Sequence, residues 1–347
     1  MKNFSSDNVS GISKEILESL TLANNGIVNS YGDDKETKKL YDNFEALFEN
    51  KVQVFPVISG TAANSLAFAS CVPPYGAIFC SKESHINEDE CNAPEFYTGG
   101  AKLINVKSNN AKLCSNDLLK KIENIAPHGI HNAKPSLISI TQSSELGTVY
   151  NLDEIKKIAR IAHEKNMFFH MDGARIANAV VNLNCSWADI TWKSGVDILS
   201  FGATKNGAFC AEAIIYFNNS ISDNVEYFRK RGGHLISKMR FISAQLNSYI
   251  ENDIWEKNAR HANNMAYLLS EKLKSVKGVK VIYPVQSNSV FISLSDDIVA
   301  NLYNQGFNFS YWGDKSDKIY RIMISFNTPR ESITNLIQAI QKECENI

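Results

Sequence analysis

The sequence predicts an α/β fold, a mostly parallel sheet with crossover helices on both faces, followed by a smaller α+β unit. Two observations carry this expectation. Between residues 52 and 217, short apolar runs alternate with segments of helical period. After about residue 245 the alternation gives way to one long helix, three strand-like runs and a closing helix. The expected division is a large domain, 1–245, and a small C-terminal domain, 246–347, with no Pro/Gly-rich linker to mark the boundary.

The elements follow in order. Residues 52–58 (VQVFPVI) are β-branched and aromatic, and SGTAAN then breaks the strand and opens an Ala-rich helix. GAIFC (76–80), KLINV (102–106) and SLISIT (136–141) are further strand candidates. The last lacks period-two alternation, as expected of a strand covered on both faces. Asn151 is placed to cap a helix whose apolar face is Leu152, Ile155, Ile158, Ala159 and Ala162. MFFHM (167–171) forms the next strand and ends at Asp172; VDILSF (196–201) ends just before Lys205. AFCAEAIIYF (208–217) reads as a returning strand. The C-terminal part holds a helix near 255–275, the runs VKVIYPV, SVFISL and YRIMIS, and a helix at 330–345.

An apolar fraction of 44% in 347 residues is ample for a core. Lys plus Arg (36) balance Asp plus Glu (37), which gives no electrostatic argument for nucleic acid or an anionic membrane. A small-molecule partner is expected instead. Seven cysteines without a Cys-x-x-Cys pair suggest neither a zinc site nor a disulfide framework, and fit a reduced, cytoplasmic setting. The start MKNFSSDNVSG lacks the apolar stretch of a signal peptide, and no apolar run is long enough to span a bilayer.

In parallel α/β sheets ligands bind beyond the carboxyl ends of the strands. Three places follow strand ends: Gly60-Thr61, Asp172-Gly-Ala-Arg175 and Thr204-Lys205. Gly60-Thr61 opens a helix, where free N–H groups form either a phosphate cup or an ordinary capped start. Asp172 ends an apolar strand and needs a cationic partner, either a pyridinium nitrogen or Arg175. Lys205 is either a solvated charge or an amine nucleophile. One crossover from Asp172, it lies at the same rim of the sheet. An amine, an acid and a phosphate cup together describe a pyridoxal 5'-phosphate site.

With these residues placed, the chain resembles the threonine aldolase family, within the fold type I, aspartate-aminotransferase-like group of pyridoxal-phosphate enzymes. The motifs run nearly end to end: FSSDNVSG (4–11), YGDD (31–34), SGTAANSLA (59–67), SHINEDECNAPEF (84–96), ITQSSELGTVY (140–150), HMDGARIANA (170–179), TWKSGVDILSFGATKNG (191–207) and GGHLISKMRFISAQ (232–245). The branch they are similar to holds low-specificity L-threonine aldolases and phenylserine aldolases.

The resemblance implies roles. Lys205 would hold the cofactor as a Schiff base and Asp172 would pair with its ring nitrogen. Gly60, Thr61 and Thr204 would bind its phosphate. His85 would stack on the ring near the substrate hydroxyl, either as a base or as a stacking group alone. Ser6, Arg175 and Arg321 would grip the substrate carboxylate. His170, which alternates with Met171 in its strand, is expected to be a satisfied buried histidine. The site would form in a dimer or homotetramer, with Tyr31 or one of Arg229, Lys230 and Arg231 reaching a neighbour's phosphate. The implied reaction is retro-aldol cleavage of threonine or allo-threonine to glycine and an aldehyde. Phenylserine cleavage, β-elimination or transamination on the same fold, and a non-catalytic α/β binding protein are the alternatives.

Overall fold

The computed structural model describes residues 2–218, 221 and 223–345. Its main sheet has seven strands: β1 (Gln53–Val57), β2 (Gly76–Ser81), β3 (Lys102–Val106), β4 (Lys134–Thr141), β5 (Phe168–Gly173), β6 (Ile198–Gly202) and β7 (Glu212–Tyr216). They lie in the order β1-β7-β6-β5-β4-β2-β3. All run parallel except β7, which is antiparallel to both β1 and β6. The expected returning strand over 208–217 is thus shorter, starting at Glu212. Residues 207–211 instead form the turn that reverses the chain. Gly207 sits at φ +117°, and a Cβ there would lie 2.2 Å from Ser13 Oγ.

Alternation along the strands divides the core. Ile198, Ile214 and Tyr216 pack under the helix Gly60–Cys71 through Ala63, Leu66 and Ala67. Leu199, Phe201, Ala213 and Ile215 face the opposite layer, where Phe44 and Phe48 meet Phe201 and Trp187 in edge-on ring contacts. Side chains of this size each contribute about 1.5–3 kcal/mol on full burial. The helix Leu152–Glu164 begins with Asn151 as foreseen, and Glu154 completes a reciprocal capping box.

The second lobe is a four-stranded antiparallel sheet of β8 (Lys280–Val281), β9 (Ser289–Ser293), β10 (Ser310–Trp312) and β11 (Ile319–Met323), in the order β8-β9-β11-β10. Only two residues of VKVIYPV pair as a strand, and β10 has no counterpart among the sequence expectations. The helix Ile254–Leu273 joins the lobes: Ile254 and Ala259 belong to the main core, Leu269 and Leu273 to the second. The amino-terminal segment also crosses over. Phe4 is fully buried in the second core, and its backbone bonds Asn308 and Met323. Among the described residues, no helix is long and apolar enough to cross a membrane.

Candidate active site

Register sets the site. Thr141 pairs with Asp172, Asp172 with Ser200, and Gly202 with Glu212, which in turn faces Val57. Five strands therefore deliver their functional ends to one rim of the sheet. A cavity of about 280 Å³ opens there, lined by Gly60, Thr61, His85, Asp172, Arg175, Thr204 and Lys205. These seven residues are brought together as the motifs suggest.

Lys205 lies in the turn Thr204–Asn206, held against β5 by the absence of a side chain at Gly202, whose Cβ would fall 2.7 Å from Ala174. Its amine makes no hydrogen bond or ion pair with any described residue. Burial, followed by the like charge of Arg175, pushes its pKa down. That is the direction an amine nucleophile needs. Asp172 is buried and does not pair with Arg175. One oxygen accepts from Asn64 Nδ2 at 2.9 Å, the other from the Ala174 N–H at 3.0 Å.

Arg175 turns to Asp7 instead. Its Nε and Nη2 donate to the two carboxylate oxygens at 2.7 and 3.0 Å, and Asn288 adds a donor at 3.1 Å. Burial raises Asp7, but attraction and hydrogen bonding from Arg175 outweigh it, with help from Lys205, and the net shift is downward.

His85 opens the short helix His85–Glu88 after β2. Its N–H donates to Glu145 Oε1 at 2.9 Å, and its Nδ1 lies 2.8 Å from Glu90 Oε1. Glu90 is buried and also accepts from Asn64 Nδ2 at 2.9 Å. Glu145 accepts the Thr141 hydroxyl proton at 2.7 Å, and burial pushes its pKa up to about 7. Glu212 is pushed up to about 7 in the same way. It accepts from the Ala203 N–H at 3.1 Å.

Six expected residues, Ser6, Tyr31, Arg229, Lys230, Arg231 and Arg321, stand apart from the cavity lining. The Ser6 side chain caps the turn Asp7–Val9 by accepting from the Asn8 N–H at 3.1 Å. Arg321, in β11, lies over the Trp312 ring at 4.8 Å, and its Nε is buried with no partner. Arg229 is 2% exposed, and its Nη1 pairs with Glu226 while its Nε is buried without a partner. Lys230 covers the Tyr31 ring at 4.3 Å. Arg231 remains exposed. His170 is fully buried between Ser139 and Ser200, each 2.9 Å from a ring nitrogen, and burial holds its pKa down to about 4. It is the satisfied core histidine the strand pattern suggests.

Asp7, Asn64, Glu90, Glu145 and Glu212 join the site without being singled out by the sequence pattern. The first four sit inside quoted motifs. For Glu212 the sequence signal is a lone carboxylate in an apolar strand.

The donor set fits pyridoxal phosphate. A half-buried amine without a protein partner faces the same cavity as a buried carboxylate backed by neutral donors. At the cavity's third corner is the amino end of the helix Gly60–Cys71, where the Gly60 Cβ position meets no atom within 4 Å.

Comparison with known proteins agrees. The β-eliminating lyase family matches residues 3–297. The low specificity L-threonine aldolase of Pseudomonas sp. (strain NCIMB 10558) is 39% identical over 98% of this chain and 97% of its own length. That of Pseudomonas aeruginosa is 40% identical, with the same coverage. The solved threonine aldolase of Leishmania major superposes with a TM-score of 0.93 at 25% identity, over 99% of this chain and 100% of that one. The chain is a pyridoxal-phosphate-dependent lyase of fold type I and belongs to the β-eliminating lyase family, among the threonine aldolases.

Proposed function

We propose that the protein cleaves L-threonine and L-allo-threonine to glycine and acetaldehyde. The observation that carries this is the joint presence of Lys205, Asp172 and His85 in one cavity of a chain about 40% identical, end to end, to aldolases named for threonine. Those names weigh against phenylserine as the preferred substrate.

The bound cofactor supplies an electron sink for the pair left when the Cα–Cβ bond breaks. In this proposal Lys205 holds its aldehyde carbon. Asp172, fixed by Asn64, faces the ring nitrogen. The free N–H groups at Gly60 and Thr61, with the Thr61 hydroxyl, bind the phosphate. Thr204, whose hydroxyl oxygen accepts from the Ala211 N–H at 3.2 Å, has its hydroxyl proton to offer the same phosphate. His85 stacks on the ring beside the β-hydroxyl. The substrate carboxylate falls chiefly to Arg321, whose Nε is unpartnered. Arg175 has committed Nε and Nη2 to Asp7 and offers only its remaining nitrogen, while Ser6 contributes through the segment that carries Asp7.

A two-domain division is part of the proposal, but Leu246, Tyr249, Ile254 and Ala259 pack in the main core. The change of lobe therefore falls within the helix Ile254–Leu273 rather than at 245/246, and the amino-terminal segment is tied to the smaller lobe. A cytoplasmic dimer or homotetramer completes the proposal. Phe209, 62% exposed, and the fully exposed Ile27 offer apolar surface for a second copy.

The test is product identity. Cofactor-loaded protein given L-threonine or L-allo-threonine should release glycine and acetaldehyde in equal amounts. A keto acid and ammonia would instead assign it to β-elimination.

A further inference from the structure

His85 is held by two acids from different elements. Glu145, after β4, takes its backbone N–H, and Glu90 takes its ring nitrogen Nδ1. Glu90 is itself fixed by Asn64, whose single Nδ2 donates to both Glu90 and Asp172 at 2.9 Å. A continuous hydrogen-bonded path therefore runs from the imidazole to the carboxylate at the end of β5. We propose, on the aldolase reading above, that Glu90 is a positioning residue that fixes the His85 ring with Nδ1 on the protein side, leaving Nε2 for a molecule bound in the cavity.

The chemistry supports one orientation. An ionised carboxylate only accepts, so Nδ1 carries the proton and Nε2 is left without a partner among the described residues. The Glu90 side chain is wholly buried, so it cannot swing to solvent and release the ring. The groups facing His85 are Glu90 from its own loop, Asp172 from β5, Lys205 after β6 and Glu145 after β4. The Glu90 hydrogen bond raises the His85 pKa above 6.5, against a smaller opposing effect of burial; Asp172 adds to the rise and Lys205 works against it. Burial and Asp172 in turn raise Glu90. The pair thus keeps a proton that an exposed histidine would release. Below its raised midpoint His85 presents an N–H donor to a substrate oxygen; above it, Nε2 is a base with its tautomer already set.

The test is an NMR titration of full-length protein carrying 15N-histidine, without and with pyridoxal phosphate. The His85 signal is identified by its loss in His85→Asn. In the unmutated chain, a midpoint above 6.5 and a neutral form protonated at Nδ1 are expected. A neutral form protonated at Nε2, or a midpoint at or below 6.5, overturns the proposal without any need for a variant. Glu90→Gln should lower the midpoint by about 1 pH unit or more, and Glu90→Asp should restore much of it. The kcat/KM limb that follows His85 should move by the same amount. An unmoved limb in an active Glu90→Gln enzyme counts against the proposal. Shifted NMR midpoints in a protein that makes no acetaldehyde would refute the aldolase reading and leave this one standing.

Discussion

Replacing Asp7 with Asn tests how the two lobes are tied across the site. Asp7 accepts from Arg175 twice and from Asn288, which lies just before β9 in the second lobe. Asparagine keeps the shape but loses the charge, and it turns one acceptor into a donor facing Arg175. Breaking a buried ion pair costs about 3–5 kcal/mol, mostly the burden of the unpaired charge. The Arg175 side chain retains 17% exposure and one acceptor would survive, so the lower end, about 3 kcal/mol, is expected. Denaturant unfolding of the cofactor-free chain at neutral pH measures it. Adding Arg175→Met should recover most of the loss, because a neutral pair of similar volume leaves no stranded charge. A single-mutant cost under about 1 kcal/mol, or a double mutant as unstable as the sum of both singles, would refute the reasoning. The pH sign follows from the lowered Asp7 carboxyl. Its stabilisation is present above the usual carboxylate range and disappears as the pH falls through the depressed value.

Further expectations concern the other corners of the cavity. Gly60→Ala should leave stability unchanged or slightly raised, because the new methyl meets no atom within 4 Å. It should weaken pyridoxal phosphate binding about tenfold or more, about 1.4 kcal/mol, by equilibrium dialysis; undiminished affinity would place the phosphate elsewhere. Glu212, raised by burial from 4.5 to about 7, contributes stability below pH 4.5 that is lost as the pH rises through about 7. Glu212→Gln should therefore shrink the stability difference between pH 5 and pH 8 by about 2.5 kcal/mol in the cofactor-free chain. An identical difference in both proteins would remove the assignment.

Much of the site was readable because it depends on strand ends. Asp172 and Lys205 each terminate an apolar run, and in a parallel sheet that places both at one rim. Gly60 follows β1 by the same logic. What sequence could not deliver was pairing across distant segments. Arg175 is three residues from Asp172, yet it bonds Asp7, 168 residues away. Asn64 reaches Asp172 from a helix that, from sequence, only looked Ala-rich. Within the basic run at 229–231 the packing of its helix buries Arg229 and leaves Lys230 and Arg231 exposed, a distinction the run itself does not display. The return of β7 was legible, but the turn that delays its start to Glu212 is held by distant residues: the Ser13 N–H donates to the Gly207 carbonyl and Asn258 Nδ2 to that of Asn206. The amino-terminal segment joins the second lobe because Phe4 fills that core, a choice made by tertiary packing rather than by its own pattern.

The most direct measurement traps the cofactor where it is expected to be held. Reduction of the pyridoxal-phosphate-loaded protein with borohydride, followed by peptide mass analysis, should place the phosphopyridoxyl group on Lys205. Lys205→Ala should give no fixed chromophore and release no acetaldehyde from L-threonine. A phosphopyridoxyl group on another lysine, or aldehyde release that survives Lys205→Ala, would contradict the account.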